Sequence, residues 1–435
     1  MRSRDRIYAS SEQNSALTPS SDFIPDPQKQ HGSSLVVRNV EQWLIRRLLL
    51  LVKDYPLSLV LWDGQGLSLH PAPELALVIH DRTALYTLIR NPDYEFGELF
   101  SQGRITVEGD LVRFLEHIYR ANEASASPVQ IALKELLIRT RRNNLTKVKE
   151  NIHHHYDIGN DFYRLWLDQD YMQYTCAYFP DPQMTLEQAQ VSKMEHICRK
   201  LRLKPGDMVI EAGCGWGGFA RYMVKHHGVT VRAYNISHEQ ITYARERARE
   251  EGLSDRIQYI EDDFRNISGE CDAFVSVGML EHVGLENYRA LGDVIDRCLR
   301  PNGRGLIHSI GRNRHLPLSE WISKRIFPGA YPPTLWEMKD IFEPHAFSVQ
   351  DVENLRLHYA KTLEHWLSRY EAHVDQVGTM FDENFVRAWR LYLAGSVATF
   401  RAGGLQLFQV LFTRRLNNDL PWSRAYLYED KQQGA

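Results

Sequence analysis

The stretch V209-IEAGCGWGG-F219 decides the fold. Met208 to Ile210 are apolar and read as a buried strand, and the carboxylate Glu211 follows them. Glycines then occupy positions 213, 215, 217 and 218, and beyond Phe219 the run ARYMVKHH has helical spacing and no proline. The pattern is strand, tight turn, helix. Glycine serves where a backbone must turn sharply and where a ligand lies against the main chain. In open α/β sheets such ligands sit just beyond the carboxyl ends of the strands.

A dinucleotide fold spells this turn G-x-G-x-x-G. Here the spelling is acid-x-G-x-G-x-G, with Glu211, Gly213, Gly215 and Gly217 as its fixed points and Trp216 between them. That is the form found in S-adenosylmethionine-dependent methyltransferases. The glycines let the methionine part of the cofactor run along the turn, and Glu211 suits its ammonium group.

Working outward, strand and helix alternate. Strands are predicted at Met208–Ala212, Val229–Asn235, Ile257–Ile260, Ala273–Val277 and Gly305–Ile310, with helices between them. This alternation specifies an α/β doubly wound parallel sheet. The run LQLFQVLFT, residues 405–413, reads as a last strand, and helices are expected around Trp321, Trp336, Leu363–His373 and Phe385–Phe400. Several segments then reach the carboxyl edge of the sheet. Asn235, 24 residues beyond Glu211, stands with Ile236 and Gln240 where dinucleotide proteins hold a ribose. Asp262, Asp263, Phe264 and Arg265 follow the third strand, suited to accept from an adenine amino group and to stack on its ring. SVGMLEHVG places Glu281 and His282 after the fourth strand, and LIHSIG places His308 on the fifth. His153, His154 and His155 are adjacent and do not converge as i, i+4 ligands do, so no metal site is expected.

The 435 residues allow two domains. A net charge of −3 gives no basic field for nucleic acid. Five scattered cysteines without C-x-x-C argue against a disulfide framework or a zinc site. No apolar run reaches the roughly 20 residues that span a bilayer, so a cytoplasmic protein with only peripheral membrane contact is expected. Residues 1–34 read as a polar, disordered arm. Residues 35–140 read as a small α+β or helical module that opens with an amphipathic helix from Leu35 to Asp54. Residues 141–435 read as the catalytic domain. The run RTRRNNLTKVK, residues 139–149, has five basic side chains and no acid, a pattern suited to anionic lipid head groups.

Taken in order, HHHYDIGNDFYRLWLD, MQYTCAYF, EAGCGWGG, SVGMLEHVG, LIHSIG and HYAKTLEHW resemble the cyclopropane fatty acid synthases, relatives of the mycolic acid cyclopropane synthases, over residues 145–420. The resemblance implies a seven-stranded, Rossmann-like methyltransferase fold. It implies methyl transfer from S-adenosylmethionine to the double bond of an unsaturated phospholipid acyl chain at the inner face of a membrane. It further implies bicarbonate as proton acceptor, held by Cys176, Glu281, His308, the backbone of Ile310, and Tyr359. Tyr174, Thr175, Glu211, Gly213, Gly215, Asn235, Ile236, Gln240, Phe264 and Arg265 match the family's cofactor contacts. Asn235 stands where members commonly have Thr, and Glu211 where they often have Asp. Tyr174, Tyr178, Phe179 and Trp216 are expected to offer aromatic faces to a transient carbocation. A homodimer is compatible with membrane-acting relatives, although no interface is legible. The rival outcomes are a methyl or methylene branch at the same double bond, a small-molecule N-methyltransferase, and a lipid binder without catalysis.

Overall fold

The computed structural model describes residues 35–125 and 158–428. The expected arm, the basic run and the three adjacent histidines lie outside them. The chain divides into a unit ending at Arg46 and one that begins at Arg47. The helix Leu35–Leu51 spans that division.

The first sheet has four short strands, β1 (Leu57–Val60), β2 (Gly66–Leu67), β3 (Leu75–Ile79) and β4 (Ile105–Glu108), in the order β2-β1-β3-β4. Asp63 and Gly64 turn the expected hairpin between β1 and β2, where Leu59 faces Leu67. Three helices accompany the sheet. Arg82–Arg90 is capped by Asp81, whose side chain accepts from the Ala84 amide at 2.9 Å. Pro92–Ser101 starts on a proline, whose missing N–H costs nothing in a first turn. Leu111–Ser125 follows β4.

The main sheet holds β5 (Met208–Ala212), β6 (Thr230–Asn235), β7 (Ile257–Glu261), β8 (Cys271–Val277), β9 (Leu299–Gly311), β10 (Phe347–Asn354) and β11 (Gln406–Arg414), in the order β10-β11-β9-β8-β5-β6-β7. β5 to β9 are mutually parallel, and β11 runs antiparallel between β9 and β10. Both faces are covered. Val209, Val231, Val275 and Leu306 enter one core with Met194 and Ile197 of the helix Leu186–Leu201. Ile210, Phe274, Ile307 and Phe412 enter the other with the helix Tyr288–Cys298. Continuous apolar strands are what a parallel sheet with helices on both sides demands. Thr185 and Gln188 form the capping box that starts Leu186–Leu201.

No strand is predicted for residues 347–354, yet they form the edge strand β10 of sequence FSVQDVEN, with Val349 and Val352 exposed. An edge strand with one wet face has no apolar run to betray it. Trp336, expected on a helix, lies in an exposed turn before the short helix Lys339–Phe342.

The helices Pro92–Ser101 and Leu111–Ser125 both pack on Glu383–Ala402, so the small module is built onto the main sheet's helical layer. Trp321 seals this junction. A Cβ at Gly97 would lie 2.4 Å from its indole, and Glu98 accepts from the indole N–H at 3.1 Å and from Arg325 Nε at 2.7 Å.

Phe412 is fully buried between Phe342 and Phe347, with centroids 5.0 and 5.2 Å away. Phe412→Ala should cost about 3–5 kcal/mol in urea unfolding. Gly305→Ala, whose Cβ would meet the Phe412 ring at 2.1 Å, should destabilise alone. In the double variant the two costs should fall short of their sum; strict additivity would contradict the packing described.

Candidate active site

β5 to β9 end at one edge, and the glycine turn lies at its centre. Gly213, Gly215 and Gly217 have φ of +84, +53 and +75, a region that side chains disfavour. The amides of Gly213 and Cys214 both donate to the Tyr234 carbonyl, at 2.9 and 3.0 Å, tying the turn to the end of β6. Tyr259 donates its hydroxyl to the Gly217 carbonyl at 2.7 Å. A Cβ at Gly218 would lie 2.0 Å from the Tyr171 carbonyl oxygen, which explains the fourth glycine. Gly215 meets no heavy atom within 4 Å, so the turn is open to a ligand there.

Glu211 is buried below the turn and its Oε2 has no partner. Burial pushes its carboxyl up to about 8, against the pull of Lys193 and of the Ala220 amide. Lys193 is itself buried and brought down to about 8 by the same cause. Its ammonium donates to Gln173 and, at 2.9 Å, to Thr175 Oγ1.

One cleft joins the turn to the ends of β6 and β7. It is lined by Gly213, Tyr234, Asn235, Ile236, Asp262, Asp263, Phe264, Arg265, Met279, His282 and Val283. The structure thus groups Gly213, Asn235, Ile236, Asp263, Phe264 and Arg265 as the sequence suggested. Their internal bonds are more specific than expected. Asn235 donates to Gly215 O at 3.3 Å and to Gln240 Oε1 at 2.7 Å, and accepts from the Ile236 amide at 2.8 Å. Asn235 and the buried Gln240 therefore brace the turn from beneath. Asp263 caps a short 3₁₀ turn and pairs with Arg265 Nε at 2.8 Å, while Arg265 covers one face of Phe264 at 5.1 Å. Met279 and Val283 carry no sequence signal and were missed.

The second group sits at the other side of the same edge. Glu281 accepts from the Ile310 amide through Oε1 at 2.6 Å, and its Oε2 has no partner. Burial raises its carboxyl to about 7. His308 lies two residues before Ile310 on β9; burial drives it well below the usual imidazole range, so it is neutral. Ile310 faces Leu407 in register, Leu407 accepts from the Leu355 amide at 2.8 Å, and Leu355 accepts from the Tyr359 amide at 3.1 Å. The Cys176 sulfur lies 3.9 Å from that same Leu355 carbonyl. A run of backbone and side-chain bonds thereby links Cys176, Glu281, His308, Ile310 and Tyr359 in one neighbourhood. Burial pushes the Cys176 thiol far up, so it is a thiol and not a nucleophilic thiolate.

Tyr174, Thr175 and Cys176 run between the two groups, and aromatic rings close over them. Tyr163, Trp166, Tyr174 and Trp216 pack at centroid distances of 4.9–5.5 Å, joined by Trp366 and Trp389. Tyr174 and Tyr392 share a hydroxyl bond of 2.8 Å, and Trp216 donates to Asn160 at 2.7 Å. Trp216 thus brings the wall onto the glycine turn. Tyr178 and Phe179 do not join it: Tyr178 stacks on His196 at 4.3 Å and Phe179 on His365 at 5.6 Å. Among the described residues no cluster of His, Cys, Asp and Glu suits a metal ion, and no helix is long and apolar enough to cross a membrane.

A family model described as mycolic acid cyclopropane synthetase matches residues 143–410, and a second, described as a domain of unknown function, matches residues 44–128. A probable fatty acid methyltransferase of Pseudomonas putida is 36% identical over 384 residues, 86% of this chain and 96% of that protein. The cyclopropane-fatty-acyl-phospholipid synthase of Escherichia coli K12 is 41% identical over 271 residues, 62% of this chain and 69% of that one. The solved mycolic acid cyclopropane synthase CmaA1, complexed with SAH and CTAB, is 30% identical with a TM-score of 0.58, covering 61% of this chain and 97% of that one. Coclaurine N-methyltransferase, bound to N-methylheliamine and SAH, has a TM-score of 0.61 at 20% identity over 73% of this chain and 99% of that one, and shares the fold.

The raised carboxyl of Glu281 has a consequence for stability. Its usual value is 4.5 and its folded value about 7, so the folded protein holds the proton more tightly. The stability it contributes is full below 4.5 and is lost as pH rises to about 7. Glu281→Gln escapes that loss. In ligand-free unfolding, the variant should gain on the wild type between pH 4.5 and 7 and hold the gain above; a gap that narrows with rising pH contradicts this.

Proposed function

This chain belongs to the mycolic acid cyclopropane synthetase family and is an S-adenosylmethionine-dependent methyltransferase, and we propose that it acts on the double bond of an unsaturated phospholipid acyl chain to form a cyclopropane ring. The observation that carries this reading is Glu281: a buried carboxyl held on the Ile310 amide, its second oxygen unpartnered, in one neighbourhood with Cys176, neutral His308 and Tyr359. A plain N-methyltransferase has no need of that set.

The residues fit the cofactor. The open face of Gly215 and the unpartnered Glu211 oxygen lie where a cationic amino acid group would run along the turn. Asn235, Ile236, Asp262, Asp263 and Phe264 line the cleft that would take its nucleoside. When bound, S-adenosylmethionine supplies an electrophilic methyl group. Glu211 would hold an ammonium group there, and it would be favoured in its ionised form by it, because an opposite charge offsets the desolvation that raises its carboxyl.

Bicarbonate, which supplies the base for ring closure when bound, also finds matching groups. Glu281 Oε2 is placed to accept a hydroxyl, and His308 Nε2 is buried without a partner. The Ile310 amide, in contrast, is already engaged by Glu281. In our reading this amide orients the carboxylate, which in turn orients the anion. The aromatic wall excludes water and offers ring faces to positive charge on the chain.

The second reading is a methyl-branching fatty acid methyltransferase. It is favoured by the likeness to the Pseudomonas putida protein, which extends over the N-terminal module as well. We further propose cytoplasmic placement at a membrane surface, with residues 139–149 contacting anionic lipid and residues 35–140 assisting that docking.

Expression in a host lacking cyclopropane lipids, followed by mass spectrometry of fatty acid methyl esters, tests the proposal. A gain of one methylene with ring-specific fragmentation is expected, and a branched chain would favour the second reading. Glu281→Gln should lose product by about 100-fold or more while keeping cofactor affinity. Neutralising Arg139, Arg141 and Arg142 should weaken binding to anionic vesicles; unchanged binding would remove the docking role.

A further inference from the structure

Three side chains stand abreast on the sheet face beneath the helix Leu186–Leu201. Glu353 on β10 pairs in register with Gln409 on β11, which pairs in register with His308 on β9. Lys200, from the last turn of that helix, descends onto them. Its Nζ donates to Glu353 Oε2 at 2.5 Å and to Gln409 Oε1 at 2.8 Å. Gln409 Nε2 lies 3.0 Å from His308 Nδ1. His196 adds a second bond to Glu353 Oε2 at 2.8 Å. Gln409 is fully buried, and Lys200 and His308 are 1% exposed.

Chemistry fixes the direction of this row. Although burial works to raise the Glu353 carboxyl, the bonds from His196 and Lys200 hold it down at about 2, so Glu353 is ionised. It keeps Lys200 an ammonium, which can only donate. The Gln409 atom facing Lys200 must then be its oxygen, and the atom facing His308 its NH₂. An NH₂ cannot accept, so His308 Nδ1 must be the bare nitrogen. In neutral imidazole the proton is therefore on Nε2, the nitrogen with no partner in the structure. His308 can present only a hydrogen there and cannot remove a proton.

We infer that Lys200 and Gln409 are positioning residues: with Glu353 they lock His308 as the Nε2–H tautomer, so that it donates to the anion that accepts the reaction's proton. The inference rests on the bicarbonate reading above. The tautomer lock itself is a property of the ligand-free protein, so the two can fail separately.

The decisive variant is Gln409→Glu. An ionised carboxylate has the size of the amide, keeps the Lys200 bond that holds it ionised, and can only accept, so in that form it turns the His308 proton to Nδ1. Nitrogen-15 NMR of histidine-labelled protein, assigned with His308→Asn, should report Nε2–H in the wild type and Nδ1–H in Gln409→Glu. Turnover should fall roughly 10- to 100-fold, with cofactor Kd within about twofold, as expected for a group remote from the cofactor cleft. Lys200→Met, which frees the amide to flip, should show a mixed tautomer and an intermediate rate. Lys200→Arg, which keeps a donor, should recover most of the rate. If Gln409→Glu does not fold, the Lys200 pair carries the same comparison. A wild-type His308 with its proton on Nδ1 overturns the lock. A flipped tautomer with unchanged turnover overturns its role. Wild-type protein that shows the lock but makes neither lipid product sinks the bicarbonate reading and, with it, the role of the lock, while leaving the tautomer assignment standing.

Discussion

Removing an ionisable group from water favours its neutral form, and that single constraint governs the carboxyl edge of the main sheet. It raises Glu211 to about 8 and Glu281 to about 7, lowers His282 to about 4, drives His308 well below the usual imidazole range, and keeps Cys176 a thiol. The shifts go in opposite directions for acids and bases, and the cause is the same for all. Electrostatic interactions there are strong, because little water is present to screen them. The exceptions are instructive. Glu353 stays ionised among Lys200 and His196, on β10, which β11 separates from β9.

The glycine turn was legible because its residues are forced by backbone geometry. Gly213, Gly217 and Gly218 are each hemmed in by Met279, Tyr259 or the Tyr171 carbonyl, so the motif could hardly be spelled otherwise. Strand position marks Glu281 and His308 as polar groups at the sheet edge, and the expectation that they hold bicarbonate comes from the family resemblance alone. Gln409 was not legible. Within LQLFQVLFT it is one of two glutamines in an otherwise mostly apolar strand, and Lys200 looks like the wet face of an amphipathic helix. Only strand order puts them beside His308, and strand order is a long-range property. The aromatic wall failed for the same reason. Trp166 comes from a segment some two hundred residues before the one that holds Trp366 and Trp389. Tyr178, expected with Tyr174 to offer an aromatic face, instead stacks its ring on His196.

The segment after β9 links parts of the molecule that seem unrelated in sequence. Trp321 and Arg325 engage Glu98 of the small module. A few residues later Phe327 packs on His282 and Tyr392, and the Tyr331 amide donates to the Glu281 carbonyl at 2.7 Å. The small module and the reacting edge thus share one short connector.

The junction sealed by Trp321 also bears on how the protein can be handled. Leu99, Phe100, Phe114 and Leu115 are buried on helices that lie against Glu383–Ala402. A version trimmed to the main sheet would turn that side outward as a greasy strip. Such a fragment would be expected to clump or to demand detergent, whatever its competence in chemistry.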